Sequence, residues 1–314
     1  MSLIVTLTMN PAIDKSSSID HVVAEKKLRC KTPSHYPGGG GVNVSRALKE
    51  LGMSSGAVYP SGGPAGKLLD TLLEKIGIDC HPVKMKNWTR ENLTIFEKAS
   101  EKQYRFGMPG AKLSRKEYQQ CVDRIFSFQS HPDYIIASGS LPPGVPNDFY
   151  ARLAQKVRKN GSRMILDTSG KALHLAVKTG VYLIKPNMNE LEFLADKKIS
   201  DEWHQEEVAR NVIRKCRCEI IVVSLGAAGA LLVTAKETTR LRAPSVPVKS
   251  KVGAGDSMVA GMVFGLVKGY SLQNAVRYGI AAGAAAVMTT GTELCRRQDV
   301  AHLYKFIKVD NSLL

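Results

Sequence analysis

Four short stretches combine residue types that do chemistry only in company. Val252-Gly-Ala-Gly-Asp256 runs into a segment where Val259, Met262, Val263 and Leu266 recur at helical spacing. Gly253, Ala254, Gly255 and Asp256 therefore sit where a loop becomes a helix. Glycines at such a junction let backbone N–H groups converge on an anion, and a helix N-terminus favours developing negative charge. A phosphoryl group in transfer is such an anion, and Asp256 on the first turn is placed to take the proton of an attacking hydroxyl. The plainer reading is an N-cap aspartate, and the glycines ahead of it weigh towards function. A second cluster, Pro37-Gly-Gly-Gly-Gly-Val-Asn43, precedes a helix marked by Val44, Ala47, Leu48 and Leu51. Four consecutive glycines are costly in chain entropy and make sense where backbone must approach a ligand closely, a flexible hinge being the alternative. Asn43 on the first turn suits a sugar hydroxyl. Lys185-Pro-Asn187-x-x-Glu190 opens another helix, with Asn187 and Glu190 one turn apart, facing a metal-bound water or a phosphate or simply capping the helix. Ser224-Leu-Gly226-Ala-Ala-Gly229 joins two apolar runs and suits either a nucleotide or a plain hairpin.

Two stretches imitate nucleotide loops and fail on particular residues. Ser61-Gly-Gly-Pro-Ala-Gly-Lys67-Leu68 looks like a P-loop, but Ser61 replaces the first glycine and Leu68 the hydroxyl that would hold Mg²⁺. Gly253-Ala-Gly255 begins a dinucleotide fingerprint, yet Met258 stands at the third glycine, and the motif lies far from the first strand.

The elements that must position these residues follow from the hydrophobic pattern. Tyr134–Ser138, Met164–Asp167, Val181–Ile184 and Glu219–Ser224 are continuous apolar runs, as expected of strands buried on both faces. Helical patterns lie between them. A capping box at Ser114 and Glu117 opens one helix, and Asn160-Gly161 closes another that begins near Asp148. Alternation of this kind predicts an α/β fold with a parallel sheet covered by helices. Residues 15–36 and 88–108 break the rhythm. They are polar and β-prone, with Leu93–Glu97 and Gln103–Phe106 read as a hairpin, so they form a small second sheet able to close over a site or pair with another copy.

Composition narrows the function classes. The chain has 314 residues, 44% of them hydrophobic and 23% charged, ample for a large core. Lysine and arginine total 44 against 28 acids, a net charge of +16. Nucleic-acid binding would need basic runs and stacking aromatics, whereas the basic residues are dispersed and aromatics make up only 6%. The six cysteines lack disulfide or zinc spacing, which points to a reduced, cytoplasmic protein. The first residues read as a strand rather than a signal peptide, and the longest apolar run, residues 220–235, is broken by Ser224, Gly226 and Gly229, which argues against a membrane span.

Taken together, these motifs resemble the PfkB carbohydrate kinases of the ribokinase-like superfamily, over nearly the whole chain. The glycine-rich signature at Pro37–Asn43 and the Val252–Asp256 signature stand in the family's order. Thr8-Met-Asn-Pro-Ala-Ile-Asp14 is similar to the opening of the sugar-phosphate kinase branch. Lys27-Leu-Arg29-Cys30, Trp88-Thr-Arg90-x-Asn-Leu93, Tyr104-Arg105-Phe-x-Met-Pro-Gly110 and Gly139-Ser140-Leu-Pro-Pro-Gly144 look most like members acting on fructose 6-phosphate in glycolysis, with tagatose 6-phosphate and fructose 1-phosphate kinases as same-branch alternatives.

The resemblance implies a single ribokinase-like domain over residues 1–314, a three-layer α/β/α sandwich with a β-sheet lid. It implies MgATP as phosphoryl donor, Asp256 as base and the amides of Gly253, Ala254 and Gly255 as anion hole. Asp14, Gly39, Asn43 and Ser140 would hold the sugar, and Lys27, Arg29, Arg90 and Arg105 its phosphate. Arg90 would reach in from the partner of a homodimer joined through the lid. Lys185, Asn187, Ser224, Gly226, Gly229 and Gly255 would bind ATP, with Asn187 and Glu190 near Mg²⁺. A monovalent cation, K⁺, would take carbonyls of Ser250, Val252, Ala286, Thr289 and Gly291 and a group at Glu293. The likeness to the members acting on fructose 6-phosphate further implies inhibition by excess MgATP at a second site near Lys27, with dimers joining into tetramers.

Overall fold

The computed structural model describes residues 3–310. In chain order its elements are β1 (Ile4–Leu7), β2 (Ala12–Ile19), β3 (Ser34–Gly38), α1 (Gly40–Glu50), β4 (Gly56–Ser61), α2 (Gly63–Lys75), β5 (Asp79–Lys84), β6 (Arg90–Glu97) and β7 (Lys102–Phe106). Then come α3 (Arg115–Ile125), β8 (Tyr134–Ser138), α4 (Phe149–Lys159), β9 (Arg163–Asp167), α5 (Gly170–Ala176), β10 (Leu183–Ile184), α6 (Met188–Ala195), α7 (Glu202–Lys215) and β11 (Ile220–Ser224). The last are β12 (Ala230–Thr234), β13 (Thr238–Arg242), α8 (Ala254–Val267), α9 (Leu272–Val287), α10 (Arg297–Tyr304) and β14 (Lys308–Asp310).

The apolar runs become the middle layer. Among the described residues, ten strands form one sheet in the order β14-β13-β12-β11-β10-β9-β8-β1-β4-β5. The strands from β11 to β5 are parallel, while β12, β13 and β14 add on antiparallel. Successive side chains point to opposite faces. Val5, Leu7, Ile135, Ala137 and Leu166 pack with α3, α4, α5 and α7, whereas Ile4, Tyr134, Ile136 and Ile165 pack with α1, α8, α9 and α10. The result is the expected three-layer α/β/α sandwich. The capping box of Ser114 and Glu117 starts α3, and Asn160 with Gly161 at φ 77° ends α4.

One helix departs from its sequence pattern. The spacing of Val259, Met262, Val263 and Leu266 implies a single apolar stripe, but α8 is buried all round from Ser257 to Gly265. Small residues let α9 lie directly on it. A Cβ on Gly261 would stand 2.8 Å from that of Ala282, and one on Gly279 2.5 Å from Met262 Cγ.

The small sheet is separate, in the order β3-β2-β6-β7. Its hairpin pairs β6 with β7 antiparallel, Leu93 opposite Phe106, and β2 lies parallel to β6. It begins earlier than the polarity suggested, at Ala12, and residues 20–33 carry no strand. That stretch is an exposed loop tethered by Lys31 N–H to Ser18 O at 2.9 Å and by the Glu97 carboxylate, which accepts from Val22 N–H. Every residue of β7 is exposed. Among the described residues no helix is long and apolar enough to cross a membrane.

Candidate active site

In an open parallel sheet, ligands bind outside the carboxyl ends of the strands. Here those ends fall in an order that reads as a path. Thr8 and Asn10 follow β1, Gly139 and Ser140 follow β8, Asp167 ends β9, Lys185 follows β10 and Ser224 ends β11, and these five strands are consecutive neighbours. Sugar-side candidates therefore lie towards β1 and β8, nucleotide-side candidates towards β10 and β11, with Asp167 between.

Asp256 faces the middle of this path from the first turn of α8. The N-cap Gly253 is in the left-handed region at φ 74°, and a Cβ there would meet Leu294 Cδ2 at 2.4 Å, so the turn that points the Ala254 and Gly255 amides outward requires glycine. Asn43 Nδ2 donates to Asp256 Oδ2 at 2.9 Å. Burial, reinforced by the Asp167 carboxylate, pushes Asp256 up to about 6, against the opposing pull of Asn43, Lys185 and Arg46. A carboxylate at that value is ionised at neutral pH yet basic enough to accept a proton in the transition state.

The four-glycine run is a packed junction rather than a hinge. A Cβ on Gly38 would lie 2.2 Å from Asp14 Oδ2, one on Gly40 2.2 Å from Ser138 Oγ, and one on Gly41 2.5 Å from Leu7 O. Gly39, at φ 107°, has no space beside Thr8. The absent side chains let β3 and the start of α1 settle onto the ends of β1 and β8. This brings Asp14, held by Asn92 Nδ2 at 2.8 Å, to the same mouth as Asn43 and Ser140. Ser140 Oγ accepts from Asn10 Nδ2 at 3.1 Å.

On the nucleotide side, Lys185 is only 7% exposed, with Nζ 3.2 Å from Asp167 Oδ1. Burial works against its charge, but Asp167, Asp256 and Glu190 outweigh that and its pKa rises. A Cβ on Gly255 would stand 3.4 Å from this ammonium, so Lys185 and the α8 N-terminus converge. Asn187 and Glu190 do form a capping box: Glu190 N–H donates to Asn187 Oδ1 at 3.0 Å and Asn187 N–H to Glu190 Oε2 at 2.9 Å. Burial nevertheless raises Glu190, with Asp167 adding to it. Ser224 joins this corner through its N–H to Pro186 O at 2.8 Å, and the turn from Gly226 to Gly229 continues as an antiparallel hairpin.

Two outer groups complete the candidates. Ser250 and Val252 on the loop before α8 meet Ala286 in the last turn of α9 and Thr289, Gly291 and Glu293 on the loop after it: Ser250 Oγ donates to Gly291 O at 2.8 Å, and Thr289 Oγ1 to Ala286 O at 2.8 Å and Glu293 O at 3.0 Å. The Glu293 carboxylate turns outward to Arg296 at 2.9 Å, leaving its carbonyl on the inner side. Lys27 and Arg29 lie exposed on the loop 20–33 and Arg105 exposed on β7. Arg90 bonds within its own chain, to Asn10 O and Met108 O at 3.0 Å each.

The profile of the pfkB family carbohydrate kinases matches residues 2–299. The chain belongs to that family. The ATP-dependent 6-phosphofructokinase isozyme 2 of Mycobacterium tuberculosis (strain ATCC 25618 / H37Rv) is 42% identical over 302 residues, covering 96% of this chain and 89% of that protein. The crystal structure of phosphofructokinase-2 from Escherichia coli in complex with potassium superposes with a TM-score of 0.94 at 39% identity, over 98% of this chain and 99% of that one. The same protein in complex with fructose-6-phosphate gives 0.92 at 38% identity, over 98% and 99%.

Several residues of this pfkB-family site escaped the sequence reading. Asp167 is one, the last residue of a strand and easily taken for its polar end. Arg46 is another: three positions after Asn43 on α1, it lies on the same helix face, and that spacing was a usable signal. Asn10 and Asn92 lie within the motifs but carry no local signal, since their partners, Ser140 and Asp14, are 130 and 78 residues away. The P-loop imitation explains itself sterically, because a Cβ on Gly62 or Gly63 would strike Asn87 O or Trp88. Those glycines serve packing.

Proposed function

We propose that this chain is an ATP-dependent 6-phosphofructokinase, transferring the γ-phosphoryl group of ATP to the 1-hydroxyl of fructose 6-phosphate to give fructose 1,6-bisphosphate and ADP. The observation that carries this reading is Asp256, with its raised pKa, at a glycine-capped helix N-terminus between Asn43 and Lys185. The sugar 1-hydroxyl gives its proton to Asp256 as its oxygen attacks the γ-phosphorus. The bond to the β,γ-bridging oxygen breaks, and ADP leaves with that electron pair. Amides of Gly253, Ala254 and Gly255 hold the charge on the transferring group. Asp14, Gly39, Asn43 and Ser140 orient the ketose. Lys27, Arg29, Arg90 and Arg105 recognise its phosphate, for which the guanidinium fork is well shaped.

The capping bonds use only part of the Glu190 carboxylate's acceptor capacity. The remainder suits a water on Mg²⁺, which usually keeps several waters besides phosphate oxygens. Carbonyl and hydroxyl oxygens on the loops around Ser250 and Gly291 form a hard-donor set fitting K⁺. When bound, these ions neutralise charge at the phosphates. Exposed Phe96, Tyr104, Phe106 and Met108 on and beside the small sheet support a homodimer joined through this lid, with excess ATP drawing dimers into tetramers. Six free cysteines are in keeping with a cytoplasmic site of action.

The test is turnover with MgATP and fructose 6-phosphate, tagatose 6-phosphate or fructose 1-phosphate, each with and without K⁺. Fructose 6-phosphate is expected to give the highest kcat/KM, and a preference for fructose 1-phosphate would overturn the assignment.

A further inference from the structure

Asn43 reaches Asp256 with its amide nitrogen, and an amide can present its oxygen instead with almost the same shape. In the reversed orientation two oxygens would face each other and the carboxylate would lose its donor. Arg46 decides between them. Its NH1 donates to Asn43 Oδ1 at 3.0 Å and to Pro37 O at 2.9 Å, while NH2 donates to Thr292 O at 3.3 Å. The guanidinium thus ties the end of β3, the first turns of α1 and the loop after α9 into one unit, with only Asn43 between it and the base.

We propose that Arg46 is a positioning residue for phosphoryl transfer, fixing the Asn43 amide so that its nitrogen holds the Asp256 carboxylate towards the attacking hydroxyl. The inference rests on Asp256 acting as base. Three acceptors in two directions require the planar fork, and a lysine supplies only a point charge on a flexible stem. Arg46 is partly buried, which opposes its charge, and Asp14, Asp256, Glu50 and Tyr36 support it. Asp256 is faced by Asn43 and Arg46 from α1, by Asp167 from β9 and by Lys185 after β10. Arg46 therefore affects the base by orientation and by its positive charge.

The experiment measures pH profiles of kcat, KM for both substrates and melting temperature for Arg46→Lys, Arg46→Met, Asn43→Ala, the double variant Asn43→Ala/Arg46→Met, and Asp256→Asn. Arg46→Met is expected to lower kcat about 10²-fold, the size of a misplacement near 1 Å, while KM for MgATP changes less than about twofold. Its acid limb should move to higher pH. Arg46→Lys should keep the limb near its original place and still lose about tenfold in kcat, because charge is retained and orientation is not. In the Asn43→Ala background the Arg46→Met change should cost less than about threefold, since the group it orients is gone. Additive losses, or a limb unmoved in Arg46→Met, would overturn the proposal. If Arg46→Met does not fold, the double variant Asn43→Ala/Arg46→Lys takes its place: the tenfold kcat loss of Arg46→Lys should disappear beside Asn43→Ala, and its persistence would overturn the proposal. An active Asp256→Asn enzyme would instead remove the base on which the inference stands, and is recognisable separately.

Discussion

The glycine junction at the start of α1 and the small sheet are joined directly through β3, yet they are built oppositely. At the junction, backbone meets backbone so closely that single methyl groups would collide with Leu7 O and Ser138 Oγ, and Val42, Val44, Leu7 and Ala47 have no exposure. On the small sheet, β7 is exposed along its whole length, with Phe106 at 48% and Tyr104 at 36%. The chemistry needs atoms fixed to within a fraction of an ångström, so the candidate base and anion hole stand on the packed body. The outer sheet instead leaves Arg105 and the apolar side chains Phe96, Tyr104 and Phe106 exposed, the kind of surface that a ligand or a second copy can cover. Precision and capture are thus separated in space.

The fixed geometry of the packed body is tested most severely at Asp256. Asp256→Asn is expected to lower kcat by about 10³- to 10⁴-fold, with ATP affinity retained, as measured by turnover and calorimetric titration. In the intact enzyme, kcat should fall as pH drops through about 6, because protonation removes the base. The Asp256→Asn variant should also be more stable than the parent at neutral pH. The folded-state pKa lies above the unfolded 3.8, so the native state favours the proton, and ionisation at neutral pH costs stability. A rise from 3.8 to about 6 corresponds to about 3 kcal/mol. Asp256→Asn is expected to recover about 1–2 kcal/mol of this at pH 7.5 in urea unfolding and almost none below pH 4.

Next in size is a change at the junction itself. Gly41→Val should cost about 3 kcal/mol or more, since its Cβ would stand 2.5 Å from the Leu7 carbonyl and backbone cannot swing aside. Unfolding midpoint is the readout. A loss below about 1 kcal/mol would mean that the junction is compliant, and the contrast with the outer sheet would lose its force.

What the sequence disclosed follows the same division. Strands such as Tyr134–Ser138 were legible because burial on both faces leaves an uninterrupted apolar run, and α3 because its cap is a local hydrogen-bonded motif. Asp256 and Asn43 were legible because glycines before a helix are a local signature. Asp167 and Arg46 were not, because what makes them important is the meeting of chain segments far apart: Arg46 contacts Thr292 across 246 residues. The glycine run was ambiguous between hinge and ligand approach, and only the neighbours at Thr8, Asp14 and Ser138 rule against the hinge. Asn187 and Glu190 showed the limit of local motifs, since the spacing that suits a nucleotide is also that of the capping box they form.

A smaller effect tests the capture side. Arg105→Ala should raise KM for fructose 6-phosphate about tenfold, the lower end of a charged hydrogen bond to an exposed phosphate, and leave kcat within about twofold. Stability should not change measurably, because Arg105 is exposed.

The smallest change in monomer stability should accompany the clearest change in association. Phe106→Ser removes a ring that is 48% exposed on an edge strand, so the folded chain loses little burial and its unfolding free energy should shift by less than about 0.5 kcal/mol at low protein concentration. If the small sheet is the joining surface, that ring is buried between copies. Its loss should then weaken self-association by about tenfold or more in sedimentation equilibrium, the scale of one buried aromatic side chain. Turnover should fall in parallel with the dimer fraction, since Arg90 would lose the neighbouring site it serves. A variant that dissociates yet keeps full activity would place every catalytic group within one chain, and the in-chain bonds of Arg90 to Asn10 and Met108 would then be its working arrangement.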